Sequence, residues 1–247
     1  MKRILLAGES WMKHTIHVKG FDSFTTSEYE EGAAWLLEAF RQGGHEVTFL
    51  PNHQAPERFP ATGEELGRYD AVFLSDIGSN TLLLAPDTFN RSRPTPDRCA
   101  ALRDWVLEGG SLCMVGGYMS FSGIDAKARY GATALAEVLP VECLTTDDRV
   151  EIPQGTVPTV RMPHHAVFQG MDGEWPFFLG YNRTLPREGS EVLASVGEDP
   201  FVALRVCGKG RTAAFASDCA PHWGPEGFVT WRHYPTFWNN LVRWMTA

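Results

Sequence analysis

Three short runs in the first half of the chain are apolar without alternation: Ile4 to Ala7, Asp70 to Ser75 around Ala-Val-Phe-Leu, and Ser111 to Val115. A strand that reads this way is buried on both faces, which in practice means a parallel sheet covered on both sides by helices. His45 to Leu50, ended by Pro51, reads as a further strand. Helical spacing lies between these runs. Ala33, Leu36, Leu37 and Phe40 follow Ser27 and Glu30, a capping-box pair, and precede Gly43-Gly44. Cys99, Leu102, Trp105 and Val106 follow Thr95-Pro96, read as N-cap and first-turn proline, and precede Gly109-Gly110. Residues 9–27 read as a long loop. The order predicts a flavodoxin-like, doubly wound α/β fold.

The second half changes character. Residues 140–190 are rich in Pro and Gly and show little periodicity. Three strand-like runs follow, Glu191 to Val196, Phe201 to Val206 and Arg211 to Ser217. The last two are joined by the hairpin-type turn Cys207-Gly208-Lys209-Gly210. They predict an antiparallel extension of an otherwise mostly parallel sheet. An aromatic-rich helix from about Val229 to Met245 closes the chain. No repeat or linker divides residues 1–247, so a single domain is expected.

Charge and cysteine usage exclude several classes. The net charge of the 247 residues is −8, and no basic run offers a duplex-binding surface. The opening apolar run stops at Glu9, too short for a signal-peptide core, and no stretch approaches a membrane span. Five cysteines, Cys99, Cys113, Cys143, Cys207 and Cys219, are scattered without a C-x-x-C pair. That usage fits a reducing cytoplasm and neither a disulfide framework nor a zinc ribbon. Neither nucleic acid nor membrane is expected as a partner.

Ligands of open α/β sheets bind beyond the carboxyl ends of the strands. Four loops meet that condition: Glu9-Ser10-Trp11, Asp76 to Asn80, Gly116 to Gly123, and Asp218 to Trp223. Gly116-Gly117-Tyr118 followed by a helix resembles a nucleophile elbow, with Tyr118 exposed and backbone N–H groups forming an anion site. A phenol is a poor acyl-transfer nucleophile at neutral pH. Close packing of the two glycines explains the same residues. His222, stiffened by Pro221 and Trp223, suits a general base, with Asp218 orienting it. A packed histidine bonded to a carbonyl is the competing reading. Cys219 beside His222 suggests a thiol nucleophile, or equally a buried thiol. Cys113, inside its strand, reads as a small apolar filler.

His14 and His17 would share one face if helical, but no third ligand is spaced to join them and Glu9, so no metal is expected. Asp147-Asp148-Arg149 reads as a solvated or ion-paired run. Gly8-Glu9-Ser10 lacks the glycine and lysine pattern of a phosphate loop, and no cofactor is expected.

Several stretches together carry a resemblance that spans nearly the whole chain. They include Gly8-Glu9-Ser10-Trp11, Lys19-Gly20-Phe21-Asp22, Ser75-Asp76-Ile77-Gly78 and Gly116-Gly117-Tyr118 with Ser120-Phe121-Ser122-Gly123. Others are Leu139-Pro140-Val141-Glu142, Asp147-Asp148-Arg149-Val150-Glu151, Gly180-Tyr181-Asn182 and Ala216 to Trp223. The chain resembles the glutamine amidotransferase-like family of bacterial cytoplasmic proteins, within the class I glutamine amidotransferase-like superfamily. The resemblance implies a flavodoxin-like fold with its site on the elbow side. Class I amidotransferases carry Gly-x-Cys-x-Gly at the elbow; here Tyr118 stands in place of the cysteine. The sequence is also similar in outline to trehalose-utilisation-type proteins.

The expectation is a divergent hydrolase or transferase acting on a small polar metabolite. Its catalytic residues would be His222, Asp218 and Tyr118, and its substrate contacts Glu9, Trp11, Asp76, Asn80, Gly117 and Ser120. The alternatives are a non-catalytic ligand-binding or oligomer-forming protein on the same fold, or a sugar-metabolism protein of the trehalose-utilisation type. A homo-oligomer is expected. Trp223, Trp231, Trp238 and Trp244 mark an aromatic C-terminal face that either core packing or a subunit interface would explain.

Overall fold

A computed structural model describes all of residues 1–247. The first six strands are β1 (Arg3–Gly8), β2 (Ser10–Lys19), β3 (Asp22–Glu31), β4 (Glu46–Leu50), β5 (Ala71–Ser75) and β6 (Ser111–Val115). Then come β7 (Val141–Cys143), β8 (Arg149–Thr156), β9 (Thr159–Val160), β10 (Phe178–Asn182) and β11 (Thr184–Pro186). The last are β12 (Ser190–Val196), β13 (Asp199–Cys207) and β14 (Gly210–Phe215). Eight strands form one sheet in the order β4-β1-β5-β6-β14-β13-β12-β9. From β4 to β14 all neighbours are parallel. Strands β13, β12 and β9 extend the sheet antiparallel. This is the flavodoxin-like, doubly wound arrangement with an antiparallel C-terminal extension that the apolar runs predict.

Alternate residues of each central strand enter different cores. Ile4 and Leu6 join Phe73, Cys113, Val115 and Phe215 on one face, beneath helices Ala34–Gln42 and Tyr234–Met245. Leu5 and Ala7 join Val72, Leu74, Leu112 and Met114 on the other, beneath helix Arg98–Glu108. Each large apolar side chain so buried contributes about 1.5–3 kcal/mol relative to exposure, and this double burial is why the runs show no alternation. No helix is long and apolar enough to cross a membrane.

Five local expectations are corrected. Residues 9–27 are not a loop. Strands β2 and β3 pair antiparallel from Ser10↔Glu31 to Lys19↔Asp22, closing at Gly20-Phe21, and form a two-stranded arm. Ser27 and Glu30 lie in β3 and cap nothing; the first helix starts at Ala34 without a side-chain cap. The N-cap of the next long helix is Asp97, whose carboxylate accepts from the Ala100 amide, rather than Thr95. The last helix starts at Tyr234, with Pro235 in its first turn, and Val229 belongs to a separate turn, Glu226–Val229. No α-helix follows Gly116-Gly117. Phe121, Asp125 and Ala126 take left-handed backbone angles there, and the chain makes only a 3₁₀ turn at Ile124–Ala126. Core packing accounts for the C-terminal tryptophans. Trp223 and Trp238 are buried, and Trp231 and Trp244 pack against the first core.

Candidate functional site

In flavodoxin-like sheets the crevice opens where the strand order reverses, here between β1 and β5. Their carboxyl ends deliver Glu9 and Asp76 side by side. Gly8 makes the approach possible, since a Cβ there would sit 1.9 Å from the Ser75 carbonyl oxygen. Glu9 and Asp76 both take left-handed angles, φ 47° and 46°. Such a conformation is costly for a non-glycine residue and persists only where neighbours impose it. The Glu9 amide donates to Ser75 O at 2.7 Å, and the Gly32 amide donates to Glu9 O at 2.9 Å, pinning the turn from which the arm departs.

A cleft of about 630 Å³ opens over these ends. Glu9, Asp76 and Asp218 line its base; Tyr118, Pro221 and His222 form one wall. The root of the arm forms the other with Trp11, Lys13 and Glu30. That volume is within the range that encloses a small metabolite. Lys13 Nζ lies 2.5 Å from Glu30 Oε2, and Trp11 Nε1 donates to the same oxygen at 3.0 Å.

The three carboxyls are coupled. Burial pushes Glu9 well above the ordinary carboxylate range, and the nearby charges of Asp218 and Asp76 push it further, against hydrogen bonds from Ser75 and Cys219. The Ser75 hydroxyl donates to Glu9 Oε2 at 2.5 Å. Burial and Asp76 push Asp218 up. Burial also raises Asp76, opposed by the Met119 amide and by His222. Three carboxyls in one low-dielectric cleft cannot all ionise, so the cluster holds protons that surface carboxylates would release.

His222 Nδ1 lies 3.2 Å from Asp218 Oδ2, so the carboxylate fixes the ring and leaves Nε2 free. Its imidazole meets the Tyr118 ring edge to face at 4.5 Å and lies beside the Trp223 indole at 5.4 Å. The Tyr118 hydroxyl donates to Glu151 Oε1 and Trp223 Nε1 donates to Glu151 Oε2, each at 2.9 Å. The Arg149 guanidinium sits 5.0 Å from the Tyr118 ring centre. Burial and the Glu151 carboxylate push the Tyr118 phenol above its ordinary value. Tyr118 is thus a fixed, protonated wall of the cleft, which does not favour it as a nucleophile.

The expected anion site on the elbow backbone is already filled. In an acyl-transfer elbow the amide after the nucleophile helps hold the oxyanion. Here the Met119 amide donates to Asp76 Oδ1 at 2.6 Å. Gly117, at φ 143°, lets the carboxyl come this close, because a Cβ there would lie 2.8 Å from Asp76 Oδ1. The Gly117 amide donates to Asn182 Oδ1 at 2.9 Å, and Asn182 Nδ2 donates to Asp148 Oδ1 at 2.8 Å. Asp148 also accepts from the Ser122 and Gly123 amides at 2.7 and 3.0 Å. Asp148 is therefore a buried anchor of the elbow, not part of a solvated run; Asp147 and Arg149 form an ion pair beside it with half-buried side chains.

Ser120 is buried behind the site. Its hydroxyl donates to Val115 O and accepts from the Asp76 amide, so it positions Asp76. Asn80 is not brought to the cleft; it lines a separate cavity of about 830 Å³ with Met119, Ser122 and Arg129. The Cys219 thiol is fully buried, 3.5 Å from Ser75 Oγ, and burial, Glu9 and Asp218 hold it protonated. That environment is the opposite of one that makes a thiolate. His14 and His17 lie on a strand at an odd spacing, so they face opposite sides and bond Ser27 and Thr26 across the arm. Lys13, Glu30 and Glu151 were not anticipated. The first two needed the register of the arm, and Glu151 arrives from a segment without periodicity.

The family model described as "putative glutamine amidotransferase" matches residues 3–247. Two solved structures are similar throughout. Cytoplasmic protein STM3548 from Salmonella typhimurium is 45% identical with TM-score 0.95, over 99% of this chain and 99% of that one. Cytoplasmic protein STM1381 from Salmonella typhimurium LT2 is 50% identical with TM-score 0.95, over 99% of this chain and 100% of that one. Both of those proteins are named as cytoplasmic. A ThuA-like protein from Bacteroides uniformis shares the fold at TM-score 0.55 and 12% identity, over 99% of this chain and 91% of that one. No curated protein matches the chain.

Proposed function

The chain belongs to the glutamine amidotransferase-like family, and on that footing we propose that it is a hydrolase or transferase of a small polar metabolite that works without a protein thiol. The observation that carries the reading is the Asp218–His222 pair lining a metabolite-sized cleft whose elbow amide is bound to Asp76. His222, oriented by Asp218, is the general base through Nε2. A protonated carboxyl of the Glu9, Asp76 and Asp218 cluster is the general acid. Water or a substrate hydroxyl takes the nucleophile's place. Four carboxyls, Glu9, Glu30, Asp76 and Asp218, face the cleft against Lys13 and His222, which favours uncharged or cationic substrates over anionic ones.

A second reading is supported by the same elbow. A fold that has no cysteine at position 118 and has committed its elbow amide internally also suits a protein that binds its ligand without turning it over. Two measurements separate the cases. Ammonia release from L-glutamine is expected to be absent in wild type and in Cys219→Ala alike; release that disappears in Cys219→Ala would sink the thiol-free proposal. Calorimetry against a panel of neutral polyols, amines and carboxylates is then combined with product detection for each ligand bound. His222→Ala should keep binding and lose turnover by about 10²–10⁴-fold, the usual contribution of a positioned base. Binding without turnover in wild type favours the second reading.

A further inference from the structure

The arm built by β2 and β3 has two faces of different chemistry. Directly opposite residues of an antiparallel pair share a face. Lys13, Thr15, His17 and Lys19 therefore share one with Glu28, Thr26, Phe24 and Asp22. That face satisfies itself. Lys13 pairs with Glu30, His17 stacks on Phe24 at 4.5 Å, and the Lys19 ammonium lies 5.5 Å from the same ring. The opposite face carries Met12, His14, Ile16 and Val18 against Tyr29, Ser27, Thr25 and Ser23. Between Met12 and Val18 it holds no Lys, Arg, Asp or Glu. Met12, Ile16 and Val18 are 49%, 69% and 71% exposed.

We propose that this uncharged face of the arm packs against the same face of a second copy of the chain, making a two-fold dimer. An isolated two-stranded ribbon is marginal in water and needs a packing partner. At about 3.3 Å per residue, each ten-residue strand of this ribbon is about 33 Å long. Its ten pairs run without a bulge or proline, the devices that keep exposed ribbons from associating. Charge selects the occupant. The chain carries a net −8, so its copies repel one another on average. A two-fold contact sets a patch against itself, and this face meets its own copy without like-charge repulsion. The other charges of the arm, from Lys13 to Lys19 and from Asp22 to Glu30, lie on the opposite face; only Glu31, at the root beside Ser10 and bonded by the Tyr29 hydroxyl, shares the proposed face, outside the Met12–Val18 span.

Light scattering and sedimentation velocity on the full chain test the proposal. Wild type at about 10 μM should show twice the chain mass, well above the dissociation constant of a specific dimer. Ile16→Glu with Val18→Glu should show the monomer mass, with dimer affinity reduced by at least about 100-fold, because the pair buries unpartnered charge on both sides of the interface. Thr15→Glu, on the opposite face, should remain dimeric. All three positions are exposed and far along the arm, so far-UV circular dichroism should not change. A monomeric wild type overturns the proposal, as does an Ile16→Glu, Val18→Glu variant that dimerises like wild type. A monomer that co-sediments with zwitterionic lipid vesicles through this face overturns it in favour of a membrane surface.

Discussion

A carboxyl buried away from water must find a partner or keep its proton. Glu9 is 2% exposed and receives one short hydrogen bond from Ser75, while Asp218 and Asp76 repel its charge. Its folded pKa therefore lies above its unfolded one. The stability that it contributes is complete below the ordinary carboxylate range and is lost as pH rises through the raised value. Glu9→Gln keeps the shape and removes the titration. Urea midpoints measured between about pH 5 and pH 8 should fall less in Glu9→Gln than in wild type, by on the order of 1 kcal/mol in stability. Equal losses would mean that the burial of Glu9 has no energetic consequence. Asp218 shifts in the same direction, so part of the loss should persist in the variant.

At the level of elements, the strand ends do the positioning. Strand β1 stops where Gly8 passes the Ser75 carbonyl, and Gly8→Ala would drive a methyl to within 1.9 Å of that oxygen at φ 108°. Stability should drop by about 2–4 kcal/mol, the range of severe backbone and packing lesions, and the drop is read from the thermal midpoint. An unchanged midpoint would show that the β1–β5 junction yields. Strands β1, β5, β6 and β14 were legible because each is buried on both faces and its apolar run is local information, whereas the two-residue edge strand β9 left no signal. The switch-point rule then located Glu9, Asp76, Asp218 and His222 in loops that the fold brings together. The arm was not legible as strands, because a ribbon with no core beneath it shows no apolar run. Its signal was the β-branched density of Thr15, Ile16, Val18, Thr25 and Thr26 around Gly20. Asn182, Asp148 and Glu151 were matched as sequence stretches, but their contacts with the elbow are long-range and left no periodic trace.

Across the whole molecule, the amino ends of the strands tie down the last helix. Ser111 Oγ, on β6, donates to Met245 O at 2.7 Å. Arg211 Nη1, on β14, donates to Trp244 O at 2.5 Å, and its guanidinium lies 5.2 Å from the Trp244 ring. Lys2 Nζ donates to Thr246 O at 3.0 Å. These donors satisfy carbonyls that a helix end leaves open, and two of them bring positive charge to its negative pole. Arg211→Met should cost about 1 kcal/mol and speed hydrogen exchange in Tyr234–Met245 without altering the cleft, which opens at the other end of the strands. Exchange that stays at wild-type rates would argue that the helix is held by its apolar face alone. The bond between Asp76 and the Met119 amide also bears on redesign. Tyr118→Cys alone would bring a thiol beside an amide already engaged, so thioester chemistry would not follow from that single change. Freeing the amide means altering Asp76 as well, and two loops would have to change together before the new thiol had an open anion site.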